Sequence, residues 1–333
     1  RRRHTRSGPQ SRGLGDVYKR QATCHAQETG PDNDQRKISD YQPTVNRIIS
    51  AGRKQNDAYL KLQELCDDIG HRLSGSESLE QAIDWAQQSL KADGQENVRA
   101  EAVTIRTWVR GQESCELIEP RPMKIDMLGL GWSVGTPSEG ITAEVVVVKN
   151  KKELDSLPDE KIKDKIVVFN FPMPQYSDTE GSGYGTAVQY RSSGAKWAAE
   201  RGGVAALIRS VTAYSLVSPH TGAMRYDADI KKVPTAAISV EAAMMLNRLQ
   251  DRGKKCVVKL NMEAEDKGEA PSANVLAEIV GSEKPDEIVV IVCHIDSWYV
   301  GQGAQDDGAG CVASMEAINI IRKLGLRPKR TIR

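Results

Sequence analysis

One stretch near the end of this 333-residue sequence has the residue types and spacing of a metal site. It reads Cys293-His294-Ile295-Asp296-Ser297, then Gly301-Gln302-Gly303-Ala304-Gln305-Asp306-Asp307-Gly308. An apolar strand runs into the His-x-Asp, and residues i and i+2 of a strand share a face, so His294 and Asp296 stand side by side. They sit at the strand's carboxyl end, where open α/β sheets bind ligands. One ring nitrogen of His294 can take a metal while Asp296 accepts a hydrogen bond from the other, fixing the tautomer and raising the basicity of the ligand. Asp306 and Asp307 are adjacent carboxylates at the mouth of a helix. Unpaired, they repel and one pKa rises; a divalent cation removes the conflict. Gly301, Gly303, Gly308 and Gly310 allow the loop to fold tightly over such a site.

Plainer readings of the same residues compete. A single histidine at a strand end is ordinarily a surface or hydrogen-bonded side chain, and Asp306-Asp307 before a helix can serve as an N-cap that complements the helix dipole. The close spacing of all four residues at the end of an apolar strand favours the metal. Strand, glycine loop and helix also make the setting of a dinucleotide-binding turn, and Gly301-Gln302-Gly303-Ala304-Gln305-Asp306 follows G-x-G-x-x-G up to its last position. Two carboxylates would then face a pyrophosphate, which is electrostatically wrong. Neither a G-x-S-x-G nucleophile elbow nor a phosphate-binding P-loop occurs.

Elements must deliver these residues, and the bulk properties bound what they are. The length suits two domains or one large one. Apolar residues make up 39% and charged residues 27%, ordinary for a globular protein. The formal net charge is +1, yet Arg1, Arg2, Arg3, Arg6, Arg12, Lys19 and Arg20 stand against Asp16 alone in the first twenty residues, which leaves the rest acidic. An acidic body gives no reason to expect nucleic-acid binding. Residues 1–35 read as a disordered or foreign leader ending in the remnant of a signal peptide, Ala22-Thr23-Cys24-His25-Ala26-Gln27. The location expected is therefore secreted, periplasmic or extracellular. The longest apolar run, Ile288 to Cys293, falls far short of the roughly 20 residues of a membrane-spanning helix. None of the six cysteines forms a C-x-x-C pair, which argues against a thiolate zinc site.

Periodicity predicts helices over 42–65 and 77–93, with the turn-rich Gly70-His71-Arg72-Leu73-Ser74-Gly75-Ser76 between them, and strands over 98–109 and 115–118. A module over 136–265 follows. It has strands at 141–148, 165–169, 204–209, 234–239 and 256–262, helices at 189–201 and 240–251, and a long loop at 176–188. Residues 263–272 read as a polar linker. Strands over 274–280 and 287–293 carry near-continuous Ile/Val runs, which suggests a sheet buried on both faces. A helix over 308–323 ends before Gly325 and Pro328.

On these residues the chain resembles the family 28 metallopeptidases, the co-catalytic zinc aminopeptidases and glutamate carboxypeptidases, and most closely the glutamate carboxypeptidase branch. The match takes in Asn274-Val275, His294-x-Asp296-Ser297, Gly303-Ala304-x-Asp306-Asp307-Gly308 and Glu316, with Gly70–Ser76, Trp108-Val109-Arg110-Gly111 and Arg327-Pro328-Lys329-Arg330. The middle module looks like a protease-associated domain, through Tyr190-Arg191-Ser192-Ser193-Gly194-Ala195 and Val233-Pro234-Thr235-Ala236-Ala237-Ile238. The resemblance implies an α/β fold: a zinc-exopeptidase-type mixed sheet with helices on both faces, formed by 36–135 and 266–333, incomplete, and interrupted by the smaller α/β insert at 136–265.

The resemblance also implies roles. His294 binds one zinc and Asp306 bridges two, Asp296 orients His294, and Asp307 follows the bridging residue, where the family often has a cis peptide bond. Short peptides or dipeptides are the implied substrates, and a homodimer the implied assembly of the full-length protein. His71, Trp108, Tyr184, Tyr190, His220 and Tyr299 can approach a substrate cleft from loops, although core or surface placement is the simpler reading for each. The family's general base lies in a Glu-Glu pair on the next strand, and no such pair occurs here; after Asp307 the sole acidic residue is Glu316, and no histidine follows His294. The expectation is an inactive fragment lacking its general base and three of five protein ligands. Alternatives of the same architecture are an aminopeptidase and a non-catalytic binding protein like the transferrin-receptor ectodomain; retention of His294, Asp296, Asp306 and Asp307 argues against the latter.

Overall fold

The structure, a computed structural model, describes residues 37–214 and 217–333. The leader and the signal-peptide remnant expected over 1–35 lie outside the described residues. The chain divides into two units, Arg1–Arg47 and Ile48–Arg333. Of the first, residues 37–47 are described and form the start of the helix Ile38–Gly52.

The largest element is an eight-stranded mixed sheet in the order β3-β2-β9-β5-β6-β7-β8-β4. Its strands are β2 (Glu113–Glu119), β3 (Met123–Ile125), β4 (Met127–Gly129), β5 (Ile141–Val148), β6 (Ile166–Phe169), β7 (Ala205–Arg209), β8 (Thr235–Ile238) and β9 (Val257–Met262). Strands β5 to β8 run parallel, and the flanking pairs are antiparallel. The period of two explains why these central strands read as unbroken apolar runs. Ile166 and Val168 join one core with Leu207, Ile238 and the helix Val240–Asp251. Val167 and Phe169 join a second core with Ile208, Ala237 and the helix Tyr184–Glu200. Both faces of the sheet are therefore covered by helices. Ser239 and Asn150 cap the helices that follow them, accepting from Ala242 N and Glu153 N.

A two-stranded antiparallel ribbon, β1 (Glu96–Val109) with β10 (Glu265–Glu278), brackets this sheet in sequence. The helix Glu77–Ala92, capped by Ser76, packs on the ribbon. A small cluster of Leu90, Ala277 and Met315 ties it to the last helix, Ala309–Lys323. A parallel pair, β11 (Lys284–Val289) with β12 (Arg330–Ile332), leads into the motif.

The expected α/β class and mixed sheet are present, with differences in detail. The helix expected over 42–65 breaks at Arg53–Asn56 into Ile38–Gly52, Asp57–Gln63 and a π-helical turn Glu64–Ile69, because the polar Arg53-Lys54-Gln55-Asn56 turn interrupts the apolar stripe. The loop expected over 176–188 contains the first turn of a helix that starts at Tyr184, a turn masked by its glycine-rich composition. The linker expected over 263–272 is strand: β10 pairs with β1 from Glu265 onward, and its charged residues face solvent on a ribbon with no apolar face to signal it. Strands β3 and β4 are too short to give a period. The strand expected over 287–293 ends at Val289, and Val290 and Val292 are 59% and 70% exposed instead of buried. Among the described residues β11 has one ladder neighbour, the three-residue β12, so pairing ends where that partner ends.

Candidate metal centre

Beyond Val289 the chain runs without regular secondary structure through Cys293, His294 and Asp296, turns through Gly303, and makes a kinked π-helical turn, Ala304–Gly308, that leads into the helix Ala309–Lys323. Gly303 has φ +64°, and a Cβ there would lie 2.3 Å from Ser297 Cβ. Glycine is needed at this point both for the left-handed backbone and for the close approach. Gly310 is needed for space: a Cβ there would meet Asp307 Oδ1 at 2.2 Å. The Asp306–Asp307 peptide bond is cis, and both residues depart from helical geometry.

The folded loop brings the expected residues together. His294 Nε2 lies 3.1 Å from Asp306 Oδ1, and Nδ1 lies 3.2 Å from Asp296 Oδ1 and 3.0 Å from the Asp296 carbonyl. Ser74 Oγ donates to Asp296 Oδ2 at 2.9 Å, and the His294 backbone N–H donates to Asp307 Oδ2 at 3.4 Å. The imidazole and the Asp306 carboxylate are open to solvent, at 44% and 73% exposure. Partial burial disfavours the imidazolium, but the Asp296, Asp306 and Asp307 carboxylates outweigh it and hold the His294 pKa above its usual 6.5.

The frame beneath the loop is Arg72, which is fully buried. Its guanidinium donates to the carbonyls of Ile295 (2.7 Å), Gly70 (2.5 Å), Gln302 (2.7 Å) and Gly303 (3.1 Å). Arg72 N donates to Ser297 Oγ at 3.0 Å, and Ser297 N returns a bond to the Arg72 carbonyl at 2.9 Å. One side chain thus fixes backbone on both sides of the turn between His294 and Asp306. Sequence reasoning singled out the Gly70–Ser76 motif without assigning Arg72 or Ser74 a contact; their signal was a motif with no periodic role in either flanking helix.

The six aromatic and histidine residues separate into groups. His71 and Tyr299 meet edge to face at 5.2 Å, and the Arg110 guanidinium lies over Trp108 and Tyr299 at 5.7 and 5.9 Å. Trp108 is buried and donates from Nε1 to the Ser133 carbonyl at 2.8 Å. Tyr190 is buried in the second sheet core, stacked on Phe171 at 4.3 Å. Tyr184 packs on Arg191 in the middle sheet region, and the His220 backbone N–H donates to Ser210 Oγ there. Burial and the neighbouring Arg191 lower the His220 pKa.

Imidazole nitrogen with carboxylate oxygen is a donor set that suits zinc. His294 Nε2 and Asp306 Oδ1 point at one another from the open side, which fits two ligands of such an ion. No group of three or more His, Cys, Asp or Glu able to hold a metal occurs among the described residues. The described residues thus bring two such groups, His294 and Asp306, face to face.

Residues 274–333 match peptidase family M28. Carboxypeptidase Q of Bos taurus is 49% identical over 301 residues, 89% of this chain and 62% of its own length. The solved structure of a peptidase M28 precursor from Shewanella amazonensis SB2B superposes with a TM-score of 0.84 at 36% identity, covering 88% of this chain and 66% of that one. A zinc aminopeptidase from Bacillus subtilis shares the fold, with a TM-score of 0.57 at 19% identity over 83% of this chain and 59% of that one. The chain belongs to peptidase family M28. It spans 62% of the length of the bovine relative.

Proposed function

We propose that this chain is the larger part of a zinc-dependent metallo-exopeptidase that hydrolyses dipeptides or short peptides, in the manner of the carboxypeptidase Q relatives, and that the 333 residues alone do not catalyse. The observation that carries the reading is the 3.1 Å approach of His294 Nε2 to Asp306 Oδ1 across the Gly301–Gly303 loop, with Asp296 beside the other ring nitrogen. His294 and Asp306 would hold metal, Asp306 bridging a pair of zinc ions in the complete site. Bound zinc supplies Lewis-acid polarisation of a peptide carbonyl and a water made acidic enough to act near neutral pH.

The chain's own residues do the positioning. The Nδ1–H of His294 donates to the Asp296 backbone carbonyl, with the Asp296 carboxylate 3.2 Å away, which leaves the Nε2 lone pair free for a metal, and Ser74 holds the Asp296 carboxylate in turn. Asp307 anchors the His294 backbone N–H. Arg72 fixes the intervening backbone. A general base would come from a glutamate outside this sequence, which has no Glu-Glu pair. The His71–Tyr299–Arg110 group forms one wall of the substrate region. We assign 36–135 and 266–333 to the peptidase domain and the middle module to a protease-associated insert. Three short strands before residue 136, Glu113–Glu119, Met123–Ile125 and Met127–Gly129, pair into the same eight-stranded sheet. A secreted or periplasmic location and a homodimer of the whole protein belong to the same proposal. No described helix is long and apolar enough to cross a membrane.

Assaying zinc-dependent dipeptide hydrolysis by this chain, and by a protein completed to the length of its carboxypeptidase Q relatives, tests the proposal. Activity is expected in the completed protein alone, and lost on His294→Ala. Zinc-dependent hydrolysis by the 333-residue chain refutes the inactivity, and an inactive completed protein refutes the peptidase assignment.

A further inference from the structure

Two arginines bracket one loop residue, Thr221, and they differ in how far their guanidinium groups are used. Thr221 Oγ1 accepts from Arg110 Nη2 at 3.2 Å, and the Thr221 carbonyl accepts from Arg191 Nη1 at 3.3 Å. Arg110 is 8% exposed, and its Nη1 donates to the Gly129 carbonyl at 2.8 Å and lies 3.5 Å from Glu113 Oε1. Both terminal nitrogens of Arg110 are therefore engaged. Arg191, on the helix Tyr184–Glu200, is half-buried, with its guanidinium 5.6 Å from the centre of the Tyr184 ring. Its Nε is buried without a hydrogen-bond partner. Among the described residues no carboxylate pairs with Arg191, and nothing bonds its Nη2. Nε–H and Nη2–H run parallel along one edge of a guanidinium, the edge that grips both oxygens of a carboxylate. In Arg191 that edge is the unpaired one. A buried donor left without a partner calls for an explanation, and a bidentate anion supplies it.

The surroundings say which anion. Gly222 lies against the guanidinium, where a Cβ would come within 2.4 Å of Arg191 Cζ. The Gly222 carbonyl accepts from the Gly131 N–H at 3.0 Å, and a Cβ on Gly131 would meet Trp298 Cη2 at 2.3 Å. Trp298 follows the Asp296-Ser297 of the donor segment. On the other side of Thr221, Arg110 lies over Tyr299. The chain that carries His294 and Asp296 thus continues into residues that pack on both supports of the Arg191 loop. We infer that Arg191 is a specificity-determining residue that binds the C-terminal carboxylate of a short peptide substrate, an inference that rests on the peptidase reading. Arg110 acts through Thr221 to hold the loop, and Gly222 leaves the room the guanidinium needs. A substrate must then carry a free carboxyl terminus close to its scissile bond, as a dipeptide does.

The test is an NMR titration of the 333-residue chain that follows the Arg191 Nε–H signal, assigned by its absence in Arg191→Lys. The probes are alanylalanine, its C-terminal amide, and alanylglutamate α-amide, whose one carboxylate is on a side chain. The signal should shift saturably with alanylalanine, with at least about ten-fold weaker binding of either amide. No shift with alanylalanine, or equal affinity for its amide, overturns the carboxylate site. A shift as strong with alanylglutamate α-amide overturns the assignment to the terminus. The titration is made on the unsubstituted chain, so its outcome does not depend on the folding of a variant. Dipeptide hydrolysis by the completed protein separates this inference from the reading beneath it. An inactive completed protein with the shift preserved refutes the peptidase reading and keeps the carboxylate site, whereas an active one without the shift refutes the site alone.

Discussion

Arg72 is the residue on which the geometry of the centre most depends. Its guanidinium is fully buried and burial lowers its pKa; no carboxylate hydrogen-bonds it, and its side-chain bonds run to four backbone carbonyls. Replacing it by methionine leaves those carbonyls without their donor, and a buried acceptor left unpaired costs about 1–3 kcal/mol. Arg72→Met should lower the free energy of unfolding in urea by roughly 3 kcal/mol, and a loss within experimental error would contradict the clamp. His294 makes a second prediction. Its pKa is raised in the metal-free fold by Asp296, Asp306 and Asp307 against the opposing effect of burial. A raised folded pKa means that protonation favours the folded state. This stabilisation is complete below the unfolded value of about 6.5 and is lost as pH rises through the higher folded value. The unfolding midpoint of the metal-free chain, minus that of His294→Gln, should fall as pH rises through neutrality; a flat difference would show no coupling. Zinc and the proton compete for this ring, so zinc binding should weaken over the same range as pH falls.

At the scale of elements, the two-residue alternation of β6 places Phe169 in one core and Val168 in the other. Phe169 is fully buried against Tyr190 and Trp197. Phe169→Ala should cost about 3–5 kcal/mol of stability, read from the urea midpoint. A cost below about 1 kcal/mol would mean that the helix Tyr184–Glu200 does not close on the sheet as described. Gly303→Ala puts a methyl group onto Ser297 in a left-handed turn. It should lower the melting temperature and loosen the loop, and an unchanged melting temperature would argue against the turn. These elements were legible in the sequence to different degrees. The strand Ile141–Val148 and the helix Val240–Asp251 match their expected spans, because apolar periodicity and the Ser239 cap mark them. The first part of the ribbon strand β10, residues 265–272, was not legible, because its pairing with β1 leaves no trace in a charged, glycine-containing sequence, whereas its second part falls in the strand expected over 274–280. The exposure of Val290 and Val292 ran against their composition, since an apolar run reports what a strand would bury, and burial also depends on what lies beside it. The clustering of His294, Asp296, Asp306 and Asp307 was legible because the four fall within one short glycine-rich stretch of the sequence. Arg72 acts across 223 positions of sequence to the Ile295 carbonyl, a separation that no local pattern encodes.

For the whole molecule, one relation is central: a chain that spans 62% of the length of the bovine carboxypeptidase Q brings His294 Nε2 and an Asp306 carboxylate oxygen face to face. The middle sheet has a complete two-faced core of its own, whereas Ile288 to Val292 lie exposed beside the donors. The most direct test is anomalous diffraction from zinc-soaked crystals of this chain completed to the length of its carboxypeptidase Q relatives. The predicted result is a zinc ion about 2.0–2.2 Å from both His294 Nε2 and an Asp306 carboxylate oxygen, with Asp296 on Nδ1. Zinc bound elsewhere, or no zinc at saturating metal with His294 and Asp306 still facing one another, would contradict it.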